Sequence, residues 1–336
     1  MLEVVTATRP IAEALRGMRR RLAGVSVPDI SISWHGGGGV RGDIVWLRDD
    51  RFWWRLDASR HPGRHSLMFG HAPRMPTRSE SATCEVNIPV KGADRRLAGA
   101  LVRDEAGRLY LAHSGKIGGG RTGRRRPAFR AFLAGGNWQA VRWPDGRQGE
   151  LLLIAPLDGP RLGRQIGRFV QAVHRYKRQP VDGDAPMPAS LVVSAVVGAA
   201  GAARRGFAED AVPFAEPVSL AALCDRGLLL DALGEELNQR GLIGDGAPSA
   251  PLFASRKSAA RLIELETGTS AAALERAVGR LLLRGAGAGD GVRAILVVPE
   301  AAGPMLAALA RHGVTLVRYR WQRARPVFAG LDAALG

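Results

Sequence analysis

The chain has 336 residues, with 48 Lys and Arg against 31 Asp and Glu, and two cysteines. That length exceeds what one core usually supports, so two domains are expected, and two cysteines are too few for a disulfide framework. The entire excess of +17 falls on residues 1–180, which hold 32 basic and 15 acidic side chains, while residues 181–336 hold 16 of each.

Charge of that size in one half concentrates and steers polyanions, and nucleic acid is the first expectation, DNA before RNA. Only Lys91, Lys116, Lys177 and Lys257 are lysines. Arginine forks suit phosphate and guanine contacts, although a GC-rich coding bias also favours Arg over Lys. The start, Met1 to Thr6, lacks a basic-then-apolar leader. The most apolar stretch, Ala189 to Ala203, is too short and too rich in Ala and Gly to span a bilayer. It reads instead as a buried strand and turn. A cytoplasmic protein without a membrane partner is expected.

In chain order, Ile11, Leu15, Met18 and Leu22 predict an amphipathic helix after Pro10, with Arg16, Arg19, Arg20 and Arg21 on its other face. Short β-rich runs follow at Asp29–Trp34, Ile44–Leu47, Phe52–Leu56, Leu67–Phe69, Thr83–Pro89, Leu97–Val102, Leu109–His113, Trp138–Trp143 and Leu151–Ile154. Glycine and proline turns separate them, and together they predict an antiparallel sheet. A helix with Leu162, Ile166, Phe169, Val170, Val173 and Tyr176 on one face closes the region. The expected first module is therefore α+β, an antiparallel sheet with flanking helices, over residues 1–178.

The Pro/Gly/Asp-rich stretch Gln179–Pro188 opens an irregular linker, 179–217. The last module, 218–336, reads as α/β: helix Leu220–Arg240, strands Leu252–Ala254 and Leu262–Leu265, helix Ala271–Leu283, strand Ala294–Val298, helix Ala301–Arg311 and strand Val314–Tyr319.

Three constellations carry chemistry. The run His113-Ser-Gly-Lys116-Ile-Gly-Gly-Gly-Arg121-Thr-Gly-Arg124-Arg125-Arg126 lets backbone N–H groups and cations approach phosphate. It is not a Walker loop, and a solvated hairpin is the plainer alternative. His113, Lys116, Arg121, Arg124, Arg125 and Arg126 are the candidate nucleic-acid contacts. Trp34, Trp46, Trp53, Trp54, Trp138 and Trp143 all lie in the basic half. There they serve as core or, near arginines, as platforms for bases. No Cys/His spacing fits structural zinc, and Cys84 has no evident catalytic partners.

The sharpest signal is Arg261-Leu-Ile-Glu264-Leu-Glu266-Thr-Gly, where alternation puts Glu264 and Glu266 on one face. Two such carboxylates need a hard cation or a basic group between them. With Ala277-Val-Gly-Arg280-Leu-Leu-Leu on the next helix, residues 220–319 resemble the PD-(D/E)XK nuclease superfamily, whose core runs helix, three strands, helix, strand. The resemblance implies a restriction-endonuclease-like domain in which Glu264 takes the acidic position and Glu266 the usual lysine position. Arg280 stands where glutamine is frequent. Asp245, 19 residues before Glu264, is the candidate for the preceding acid, and Glu235 or Glu236 could contribute another ligand. In an active member Asp245, Glu264 and Glu266 would hold Mg²⁺, which activates water. A reader followed by a cutter implies restriction, bacterial defence or mobile-element DNA processing. The alternative is a non-catalytic nucleic-acid-binding component of a complex, with the neutral C-terminal domain docking protein partners.

Overall fold

A computed structural model of the chain describes residues 1–34, 37–57, 61–118, 126–133, 136–178, 219–245, 252–256, 259–286, 292–302, 309 and 311–336. It is a mixed α/β protein that divides into two compact units, Met1–Gly183 and Asp184–Gly336. The expected linker, the buried strand in Ala189–Ala203 and most of the helix expected over Ala301–Arg311 lie outside the described residues. None of the described helices is long and apolar enough to cross a membrane.

The first unit opens with β1 (Leu2–Val4) and α1 (Thr8–Arg21). Pro10 sits in the first turn of α1, where its missing N–H costs nothing, and Ile11, Leu15 and Met18 are buried below it. Where the sequence predicts one antiparallel sheet, the structure has two β layers. A six-stranded sheet runs β6 (Ser79–Ser81), β2 (Val25–Ser33), β3 (Gly39–Leu47), β4 (Phe52–Asp57), β5 (Arg64–His71), β7 (Cys84–Pro89). A five-stranded barrel closes through β1, β10 (Trp138–Arg142), β11 (Gln148–Pro156), β9 (Leu109–His113) and β8 (Gly99–Arg103). The expected single sheet fails because β1 pairs on both sides, parallel to β10 and antiparallel to β8. A register shift between Leu153 and Ala155 interrupts β11, and such bulges bend and twist a strand.

One core lies between these layers. It takes Leu15 and Met18 from α1, Phe52, Trp54 and Phe69 from the sheet, Leu101, Leu111 and Ile154 from the barrel, and Phe169 and Val173 from α3 (Leu162–Arg178). The far face of the sheet carries a second cluster around Ile30, Ile32, Trp46, Trp53 and Met68. Here Gly70 stands opposite Trp53 across the β4–β5 pair, and a Cβ on Gly70 would fall 2.2 Å from the indole. Gly70→Ala is therefore expected to overpack this cluster and cost about 1–3 kcal/mol, read as a lowered urea midpoint of the first unit. An unchanged midpoint would mean that the indole has room to move.

The second unit is a three-layer α/β arrangement. Its sheet runs β12 (Ile243–Asp245), β13 (Leu252–Arg256), β14 (Ala259–Leu265), β15 (Arg293–Pro299), β16 (Val314–Gln322), β17 (Arg325–Ala329). The pairs β14–β15 and β15–β16 are parallel, and the other three are antiparallel. Helix α4 (Leu220–Gln239) and the short α6 (Leu331–Leu335) cover Ile263, Leu265, Ile295 and Val297 on one face. Helix α5 (Ala271–Ala286) covers Leu262, Leu296 and Val298 on the other. Strand alternation therefore sends Leu262 and Glu264 towards the α5 layer.

Candidate functional site

Glu264 sits at the carboxyl end of β14 and is 1% exposed. Glu266, the first residue beyond that strand, is also buried, and its backbone N–H still donates to Val297 O at 2.9 Å. Arg280, rising from α5, bridges the two carboxylates. Its Nε donates to Glu264 Oε1 at 3.0 Å and its Nη2 to Glu266 Oε2 at 3.2 Å. The other oxygen of Glu266 accepts the backbone N–H groups of Thr267 and Gly268, both at 2.9 Å.

Two more arginines approach Glu264. Arg226 of α4 comes from the opposite layer, with Nη2 3.7 Å from Oε1 and Nη1 donating to the Leu265 carbonyl. Arg284, one turn after Arg280, has Nη1 3.9 Å from Oε2, which is buried without a hydrogen bond. Two carboxylates thus face three guanidinium groups. The basic group that the same-face pair requires is supplied from within the chain.

Asp245 ends β12, with its Cα opposite Phe253, which in turn pairs with Leu262. It lies two strands from β14, on the order of 10 Å across the sheet, and level with Leu262 rather than Glu264. The structure therefore brings Glu264 and Glu266 together and leaves the Asp245 backbone apart from them. Among the described residues no group of three or more His, Cys, Asp or Glu is placed to hold a metal ion. Mg²⁺ asks for six oxygen ligands in near-ideal octahedral geometry. As arranged, the pair does not present that set: Arg280 takes one oxygen of each carboxylate, and backbone N–H groups take the other oxygen of Glu266.

In the first unit, Arg16, Arg19, Arg20 and Arg21 lie exposed on α1, and none forms a salt bridge among the described residues. Of the glycine–arginine run, Arg121, Arg124 and Arg125 lie outside the described residues, and Arg126 opens helix α2 (Arg126–Phe132). Lys116 is exposed, with Nζ donating to the Arg95 carbonyl at 2.8 Å.

His113 is corrected from a ligand contact to a core residue. It is 1% exposed, packs 5.2 Å from the Phe169 ring, and accepts the Gly115 N–H on Nδ1 at 2.9 Å. The apolar strand that precedes it was the signal for this burial. Trp46, Trp53 and Trp54 are likewise core, with Trp46 and Trp54 donating to backbone carbonyls. Trp143, on the β10–β11 hairpin, remains half-buried. The sequence reading missed Arg226 and Arg284 altogether; the i, i+4 spacing of Arg280 and Arg284 on one helix face was the available signal.

Burial alone pushes the His113 imidazole down to about 3, against an ordinary value near 6.5. The folded chain then holds it neutral, while the unfolded chain takes up a proton below about pH 6.5. Its contribution is present above that pH and is lost as the pH falls towards 3, by at most about 1.4 kcal/mol per unit. His113→Gln should flatten the acid limb of a urea-derived stability curve by up to that slope between about pH 6 and 4. Superimposable slopes would place the proton uptake on other groups. No known protein family, curated protein or solved structure matches the chain.

Proposed function

We propose that the chain binds nucleic acid, DNA first, through its cationic first unit, and that its second unit is a restriction-endonuclease-like domain that does not cleave. The carrying observation is the exposed row Arg16, Arg19, Arg20 and Arg21, free of salt bridges among the described residues, in the half that holds the whole excess of +17. Phosphate neutralisation by such groups gives sequence-tolerant, salt-sensitive binding.

For the second unit, the order α4, β12–β14, α5, β15 supports the resemblance in topology. The Arg280 bridge across Glu264 and Glu266 supports loss of metal-dependent hydrolysis. What remains is a neutral domain suited to contacts with a protein that supplies any cleavage. The setting proposed is restriction, defence or mobile-element processing.

Supercoiled plasmid incubated with the full chain in Mg²⁺, Mn²⁺ or EDTA tests both halves of this reading. Retarded, intact plasmid under all three conditions is expected, released as salt rises from about 50 to 200 mM. Metal-dependent nicking that disappears in Glu264→Gln would overturn the non-cleaving reading. Unretarded plasmid, together with unretarded RNA of equal length, would overturn nucleic-acid binding.

A further inference from the structure

Beside the barrel, a cavity of about 640 Å³ opens between the segment leading into β8, the residues after β9, and the β10–β11 hairpin. That volume is in the range of small-molecule sites, roughly 300–1,000 Å³. Its walls include Arg95, Arg96, Ser114, Lys116, Trp143 and Gln148. Its three carboxylates are already matched. Asp94 accepts from Arg96 at 3.1 and 3.3 Å, Asp145 lies 3.7 Å from Arg147, and Glu150 pairs with Arg130. Arg95 and Lys116 form no salt bridge among the described residues; Lys116 commits one of its three N–H donors to the Arg95 carbonyl and adds its charge to that of Arg96 in holding the Asp94 carboxyl below its usual range.

Beside these two cations stands an indole. The Trp143 backbone N–H donates to the Arg147 carbonyl, and the Gly146 N–H returns to the Trp143 carbonyl, so the tight hairpin fixes the backbone that carries the ring. Gly149 leaves room for the ring, since a Cβ there would lie 2.7 Å from its Cζ3. The Arg95 guanidinium is 6.0 Å from the ring centroid, the outer limit of a cation–π contact, which leaves it able to turn towards an anion. A phosphate alone needs no indole, and an uncharged ring needs no pair of cations held outside salt bridges. A ligand that uses both is a flat ring carrying a phosphate.

We propose that this cavity is a nucleotide site, in which the base lies against Trp143 and the phosphate meets Arg95 and Lys116. The proposal deepens the nucleic-acid reading and rests on it for its source, an unpaired or extruded nucleotide of a strand, because a base inside a duplex cannot reach the ring. A free nucleotide has the same chemistry, and the assay separates the two sources.

The full chain is titrated against a fluorescein-labelled, 5′-phosphorylated dA8 strand, with dAMP, deoxyadenosine and deoxyribose 5-phosphate as competitors. The expected result is displacement by dAMP at a concentration at least tenfold below either fragment. Trp143→Ala and Lys116→Ala should each weaken dAMP at least tenfold, in line with the loss of a stacked base or a phosphate contact. Trp143→Phe, which keeps a ring, should stay within about threefold. Gly149→Ala should weaken dAMP while removing no charge and no ring, which guards against a folding defect in Trp143→Ala.

Competition by dAMP no better than by deoxyribose 5-phosphate would overturn the site, as would Kd values within twofold in both alanine variants. Binding of dAMP without displacement of dA8 would support the site but assign it to free nucleotides, overturning the strand as source. If the site fails while plasmid is still retarded, the proposed function stands without it. If neither plasmid nor RNA of equal length is retarded, that function falls whatever dAMP does.

Discussion

Replacing Arg16, Arg19, Arg20 and Arg21 together by Ala should weaken duplex DNA binding by roughly 10²–10³-fold at 0.1 M salt. The slope of log K against log salt should fall by about 3. The reasoning is geometric. From Arg16 to Arg21 the helix rises about 7.5 Å, which spans roughly two phosphate steps along a strand, and long arginine side chains fan out from it. Three of the four can then meet phosphates, each contributing a slope of about 0.9. The stability cost is small, because all four are exposed; only the weak attraction of the last-turn arginines to the helix carboxyl end is lost, about 0.3–1 kcal/mol at most for each. An unchanged slope with unchanged folding would remove α1 from the interface and leave the glycine–arginine run as the remaining candidate.

Arg280→Ala is expected to be the most damaging single substitution in the second unit. Removing one partner of a buried ion pair costs about 3–5 kcal/mol, because the remaining charge is stranded. Arg280 itself is 38% exposed, so solvent reduces this, and roughly 2–3 kcal/mol is the expected loss. For a unit of this size that is a fall of about 4–12 °C in the thermal transition. The first unit has its own core and should keep its transition, so differential scanning calorimetry of the full chain separates the two effects. Arg280→Lys should recover little, since one ammonium cannot present the fork that reaches both Glu264 and Glu266. A loss below about 0.5 kcal/mol would show that Arg226 and Arg284 hold the carboxylates without it.

The same centre shows how far the sequence could be read. Period-two alternation places Glu264 and Glu266 on one face, and that is where they lie. What supplies their counter-charge depends on which layer each helix covers, and local spacing does not carry that information. Arg226 reaches the pair from the opposite side of the sheet, across 38 residues of sequence. In the first unit most strand positions were legible because turns punctuate them. β1 and β6 were not, being three residues each. The barrel was not legible either, since closure rests on pairings between residues far apart in sequence. His113 was misread for a different reason: a glycine-rich neighbourhood suggested exposure, while its own strand, Leu109–His113, is buried from Tyr110 onward.

The seam of that barrel has a kinetic consequence. Leu2 pairs with Val141, and Val4 with Val102, while β11 links β10 to β9, so the ring closes only once the chain has been made through Pro156. Loops as long as the one from Leu2 to Val141 make for slow, late contacts. During synthesis β1, β8 and β9 can pair early, but the edges of β1 and β9 that β10 and β11 will later occupy stay open. Chaperone dependence and aggregation in the first unit should therefore concentrate on nascent chains that end before β10, with unpaired strand edges exposed.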